Sequence, residues 1–223
     1  MTQPNSYKLM LPDFSSLTAK EAQTNINSLV KKQRTTIESL LKNKQKITFE
    51  SIVNPIEEMQ HELSRTFSPI SHLQNVLDQP EWRNTYNSCL PLLTEYGTEL
   101  SQNTKLEKAY KTIINNLNDQ NDPKFKLLEQ ELRNFTLNGV NLPETKKLIF
   151  KDLKTRLSNA EANFSQNVQD STDAWSLYID NEDELKGVSR EILEQAKDNQ
   201  GGWKLILDLS LIHISEPTRL GFI

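Results

Sequence analysis

Between Leu142 and Trp175 the positions Ile149, Leu153, Leu157, Ala160, Phe164, Val168, Ser171 and Trp175 follow one another at steps of three and four residues. That spacing holds one stripe on one face of a single long helix. Pro143 suits the first helical position, where no N–H is needed, and Glu144 places negative charge in the positive first turn. No glycine or proline interrupts the segment after Pro143. The pattern therefore predicts a rod roughly 50 Å long, and its eleven-residue repeat predicts a nearly straight or weakly right-handed course. A regular apolar face of this kind is expected to be core, with packing partners along both halves of the rod.

The same reading predicts helices through most of the remaining chain. Residues 1–17 form an extended N-terminal arm. Thr18 and Glu21 then make a capping box that opens a helix carrying Ala22, Ile26, Leu29, Val30, Ile37, Leu40 and Leu41, ending near Asn43. Residues 48–67 are helical, with Phe49, Ile52, Ile56, Met59, Leu63 and Phe67 on one side and a restart at Asn54, Pro55 and Glu57. Residues 70–78 form a separate short helical stretch, and Asp78, Pro80 and Glu81 begin a helix bearing Trp82, Tyr86, Leu90, Leu93, Tyr96 and Leu100. Pro91 lies inside that helix and predicts a kink or a boundary near residues 87–90. Leu106, Ala109, Tyr110, Ile113 and Leu117 mark another helix. After the polar run NDQND, Asp122 and Pro123 open one with Phe125, Leu128, Leu132 and Phe135, which Gly139 stops. Beyond the rod come a polar turn at 180–187, a short helix from Ser189 to Asn199, and WKLILDL, a single short strand. The predicted fold class is mainly all-α, an array of long antiparallel helices with one short strand near the C-terminus.

Composition sharpens this picture. Six glycines in 223 residues favour helices joined by polar loops over a sheet-rich fold, and 35% hydrophobic residues suffice for a core. The single cysteine, Cys89, excludes an internal disulfide, fits a reducing compartment and reads as a small buried residue. The opening stretch MTQPNSYKLMLPDF lacks the basic and apolar parts of a secretory leader, and no run approaches the length of a membrane span. A cytoplasmic location is expected. A net charge of −4 with interleaved lysines and carboxylates offers no footprint for nucleic acid and none for an anionic membrane.

The chain has three histidines. His61 and Glu62 open HELSR, which falls one ligand short of the zinc motif His-Glu-x-x-His because Arg65 stands where the second imidazole is required. His72 in SPISHLQNV reads as a hydrogen-bonded structural residue, and a phosphotransfer bundle using it is a distant alternative. His213 lies in a tail that matches nothing before it. The sequence contains neither a glycine-rich phosphate loop nor a G-x-S-x-G elbow, and Cys89 has no flanking nucleophile signature. By residues alone the chain presents no catalytic residue, no cofactor-binding residue and no metal ligand.

Five blocks, taken in order, carry more. NPIEEMQHELSRTFSPISHLQNV, YNSCLPLLTEYGTELSQN, LRNFTLNGVNLP, RLSNAEANFSQNVQDSTDAW and GGWKLILD together resemble the N-terminal portion of the thimet oligopeptidase family of zinc metallopeptidases, from about Leu11 to about Asp208. Positions that fit the family pattern are Pro55, His72, Arg133, Phe135, Gly139, Leu142, Pro143, Phe164, Asn167, Asp170, Thr172, Trp175, Gly202 and Trp203.

The resemblance implies a helical enzyme of two lobes around a narrow channel that admits short peptides. It places zinc, held by two histidines of His-Glu-x-x-His and a downstream glutamate, in the later lobe. Residues 18–209 are then a truncated, non-catalytic lobe that binds no zinc itself, is inactive alone, and has the missing catalytic lobe as its partner. The rod is read as a wall or support of the channel. Residues 210–223, SLIHISEPTRLGFI, read as a foreign tail joined to a truncated reading frame. The alternative reading is a stand-alone helical interaction or scaffold protein working through a groove between its helices.

Overall fold

A computed structural model describes residues 12, 14, 16–42, 46–77, 79–198 and 201–206. The tail at 210–223, His213, the expected cap Asp78 and most of the 1–17 arm lie outside the described residues. Among the described residues the chain is mainly α-helical, with α1 Ala19–Lys42, α2 Asn54–Leu77, α3 Pro80–Ser101, α4 Thr104–Asn115, α5 Pro123–Leu137, α6 Glu144–Ala174 and α7 Arg190–Ala196. Two short strands, β1 Ser176–Ile179 and β2 Trp203–Ile206, complete it. The chain divides into two compact units, residues 1–159 and 160–223.

In the first unit the helix starts follow capping chemistry. Thr18 Oγ1 accepts from the Glu21 N–H at 3.3 Å and donates to Glu21 Oε2 at 2.6 Å, so the expected box opens α1. Asn103 Oδ1 accepts from the N–H groups of Lys105 and Leu106 to start α4, and Asp122 Oδ1 accepts from Lys124 N at 2.8 Å to start α5 behind Pro123. Gly139 ends the α5 turn at φ 80°, a left-handed conformation that side chains other than glycine adopt at a cost.

Several boundaries differ from the sequence expectation. Asn54 is not the cap of a restarted helix: its backbone is right-handed helical, and a π-helical turn, Phe49–Val53, runs directly into α2. Thr48 is the cap instead, paired reciprocally with Ser51. The polar spacing at 48–51 carries that signal, and the proline at 55 obscures it. Residues 70–78 are not a separate element either, because α2 continues through Pro69 to Leu77. Likewise α3 passes Pro91 without a boundary. Each proline removes one helical hydrogen bond and crowds the preceding turn. Both helices nevertheless persist, because burial of Ile70 and Leu73 just beyond Pro69, and of Cys89 and Tyr96 on either side of Pro91, offsets that cost.

Two apolar clusters fill this unit. The first joins α1, the later part of α2, and α3 through Ile26, Val30, Ile70, Trp82, Cys89 and Tyr96. The second joins the π turn, the start of α2, α4 and α5 through Val53, Ile56, Leu106, Tyr110, Leu128 and Phe135. Met59 on α2, with Leu41 and Leu100, packs against both clusters. Tyr110 and Phe135 meet edge to face, ring centres 5.5 Å apart.

The second unit holds the later part of α6, the strands, a 3-10 turn at Glu182–Leu185 and α7. The expected single strand is corrected to a pair: β2 runs antiparallel to β1, with Ser176 opposite Ile206 and Ile179 opposite Trp203. A strand satisfies its backbone groups only with a neighbour, and SLYI supplies one. Gly202, at φ 78°, lets the chain pass close to β1, since a Cβ there would lie 2.8 Å from the Ile179 carbonyl oxygen. Ser189 stands at the N-cap of α7 in extended conformation but makes no side-chain cap bond, and the helix ends at Ala196, short of Asn199.

Candidate functional site

The residues singled out by sequence are scattered. His61 and Glu62 sit on the exposed side of α2, Glu62 pairs with Lys32 at 3.7 Å, and Arg65 lies one turn on. A guanidinium cannot coordinate zinc, so the residues present here do not fit that metal and no chemical step passes through it. His72 is exposed on the same helix with its ring 5.6 Å from that of Phe14. Cys89 is 1% exposed, and burial pushes its thiol pKa up, which makes it core and a poor nucleophile. Among the described residues no group of three or more His, Cys, Asp or Glu side chains is placed to hold a metal ion. None of their helices is long and apolar enough to cross a membrane.

Two features remain. The first is a cleft of about 650 Å³ between α2, α3, α4 and α5, lined among others by Leu63, Phe67, Leu93, Leu100, Tyr96 and Phe135. Tyr96 is 4% exposed, its hydroxyl has no hydrogen-bond partner, and the Arg34 guanidinium lies 5.9 Å from its ring centre. Burial raises the Tyr96 hydroxyl pKa from 10.0 to about 12, partly opposed by the charge of Arg34 and helped by Glu99. Tyr110 moves upward for the same main reason.

Both phenols hold their protons more tightly in the fold than in the unfolded chain, so their contribution is complete below about pH 10 and is lost as pH rises through the folded values. Tyr96→Phe is expected to change stability at pH 7 by less than about 1 kcal/mol, because the lost hydroxyl was unpartnered, and to weaken the decline between pH 10 and 12. Thermal melts at pH 7 and pH 11 check this. A loss above about 2 kcal/mol at pH 7 would show that the hydroxyl makes a bond in the folded protein.

The second feature is the surface of α6. The rod forms over Glu144–Ala174, matching its predicted extent, yet the stripe expected to be core is exposed. Ile149 is 60% exposed, Leu153 and Leu157 53% each, Phe164 71% and Val168 50%. The only buried residue of the helix is Ala162. In the first unit the helix meets α3 through polar groups instead. Lys151 Nζ lies 2.5 Å from Glu95 Oε1 and 3.7 Å from Glu99 Oε1, and Thr94 Oγ1 donates to Ser158 Oγ at 3.1 Å. The Lys151 hydrogen bond is the main cause that holds the Glu95 carboxyl below its usual range. Lys151, Thr155, Ser158 and Ala162 form their own line at steps of four, three and four, opposite the apolar stripe. That second line is the signal in the sequence for the inner face of α6, and an apolar search passes over it.

The first unit is a helical domain with two packed cores, and α6 carries an exposed apolar stripe. Residues 26–147 match the family model described as the neurolysin/thimet oligopeptidase N-terminal domain, and the chain belongs to that family of peptidases. It is 37% identical over 147 residues to Oligopeptidase A of Haemophilus influenzae, covering 65% of this chain and 22% of the relative. It is 32% identical over 216 residues to Oligopeptidase A of Salmonella typhimurium, covering 94% of this chain and 32% of the relative. A probable cytosolic oligopeptidase A of Arabidopsis thaliana is 26% identical, over 70% of this chain and 24% of its own length. The chain thus spans less than a third of the length of these relatives and corresponds to their N-terminal part.

Proposed function

We propose that this chain is the non-catalytic N-terminal part of a cytoplasmic, zinc-dependent oligopeptidase that hydrolyses short peptides, and that it is inactive by itself. The observation that carries the reading is the family match over residues 26–147, set beside a coverage of no more than 32% of the relatives' length. The coverage leaves most of the relatives' length outside this chain, and in this reading the groups that bind zinc and activate water belong there. HELSR is consistent with that division, since Arg65 denies His61 a second imidazole one turn along α2. Residues 18–209 are the lobe, and residues 210–223 are a tail foreign to it. Intact genomic DNA encoding SLIHISEPTRLGFI followed by a stop codon would refute the foreign origin of the tail.

The reading is tested by exchange. Residues 1–206 of this chain, joined to the part of Salmonella typhimurium Oligopeptidase A that follows its matched segment, are expected to cleave short peptides in a chelator-sensitive way, whereas the chain alone does not. Chelator-sensitive hydrolysis by the purified chain alone contradicts the assignment, as does a folded, zinc-loaded fusion without activity.

A further inference from the structure

The inverted amphipathicity of α6 has a direct energetic meaning. A helix that borders its own domain ordinarily turns its apolar stripe inward, because removing that stripe from water supplies most of the packing energy. Here Lys151, Thr155 and Ser158 line the side that meets α3, through an ion pair and a hydroxyl contact. Ile149, Leu153 and Leu157 face water, and Phe164 and Val168 continue the exposure farther along the same helix. Single exposed leucines are ordinary, but a contiguous ridge on the order of several hundred Å² is the mark of an interface. Its borders carry Lys146, Lys154, Arg156 and Glu161, the mixed charged rim that surrounds such apolar centres.

We infer that the outward ridge of α6 is the seat of the C-terminal remainder of the enzyme, which packs on it across Ile149, Leu153 and Leu157. This rests on the proposed function and adds the surface through which the two parts join. The occupant follows from length: the Salmonella typhimurium relative matches 94% of this chain with only 32% of its own residues, so more than two thirds of that protein lies outside the match, and the family model matched is that of the N-terminal domain. The contacts of Lys151 and Ser158 with α3 are polar and leave the apolar stripe of α6 uncovered.

The test uses two proteins and reads melting midpoints. In the full 223-residue chain, the double variant Leu153→Ser/Leu157→Ser is expected to leave the midpoint within about 2 °C and to reduce binding of an apolar dye. A fall of more than about 5 °C would mean that the ridge is already covered within the chain, and would overturn the inference. In intact Salmonella typhimurium Oligopeptidase A, serine at the two aligned positions is expected to lower the midpoint by at least about 5 °C and to speed proteolysis between the two parts. An unchanged relative overturns the inference. If the isolated chain also forms a discrete dimer that the double variant disperses, the ridge belongs to a second copy. Neither arm measures hydrolysis, so peptide cleavage by the chain alone, which defeats the proposed function, is distinguishable from a failure here.

Discussion

Ile70→Ala and Leu128→Ala are each expected to cost about 3 to 4 kcal/mol and to lower the melting midpoint by roughly 10 °C. Both side chains are fully buried, Ile70 in the cluster formed by α1, α2 and α3, and Leu128 in the cluster formed by the π turn, α2, α4 and α5. Truncation removes three methyl or methylene groups from each site and leaves a cavity that the surrounding helices close only in part. Because Met59, Leu41 and Leu100 pack on both clusters, the two losses should act on one cooperative transition. Circular dichroism melts check the size of each effect, and the exposed Leu153→Ala serves as the control, with an expected shift near zero. A shift below about 1 kcal/mol at Ile70 would show that the first cluster is not a packed core.

Gly139→Val should cost about 2 to 4 kcal/mol, for two separable reasons. The backbone there has φ 80°, which a β-branched residue adopts only under strain. An added Cβ would also lie 2.5 Å from Leu142 Cδ1, while the adjoining turn is tied by Gln102 Nε2 donating to the Asn138 carbonyl at 2.9 Å. The neighbour is the flexible end of a leucine, so Gly139→Ala combined with Leu142→Ala should relieve the clash and retain the backbone cost. Denaturant midpoints of the two single variants and the double variant separate the contributions. Equal stability of Gly139→Val and the unaltered chain would contradict the strained turn.

The elements that were legible in the sequence are those with local chemistry. Thr18 with Glu21, Asp122 with Pro123, and Gly139 announced their helix ends because caps are local hydrogen bonds, set by residues three or fewer apart. The extent of α6 was legible for a similar reason, since no glycine or proline interrupts it. What could not be read locally was tertiary. Pro69 and Pro91 look like boundaries, and only the burial of their surroundings keeps α2 and α3 continuous. SLYI carries no strand signal of its own until WKLI returns to pair with it. The side on which α6 packs was misread because periodicity shows that a stripe exists and not which partner covers it. Its apolar line is exposed, and the polar line through Lys151 and Ser158 meets α3. For the function, no residue pattern within the chain was sufficient. Ordered family blocks carried the assignment, and the match over residues 26–147 supports it.

On the proposed function, the catalytic metal is held by residues outside this chain. Isothermal titration of the purified 223-residue protein with zinc, paired with a short-peptide hydrolysis assay, tests it most directly. The expected result is no stoichiometric binding at micromolar zinc and no chelator-sensitive cleavage. One tightly bound zinc per chain, accompanied by peptide hydrolysis that a chelator abolishes, would contradict it.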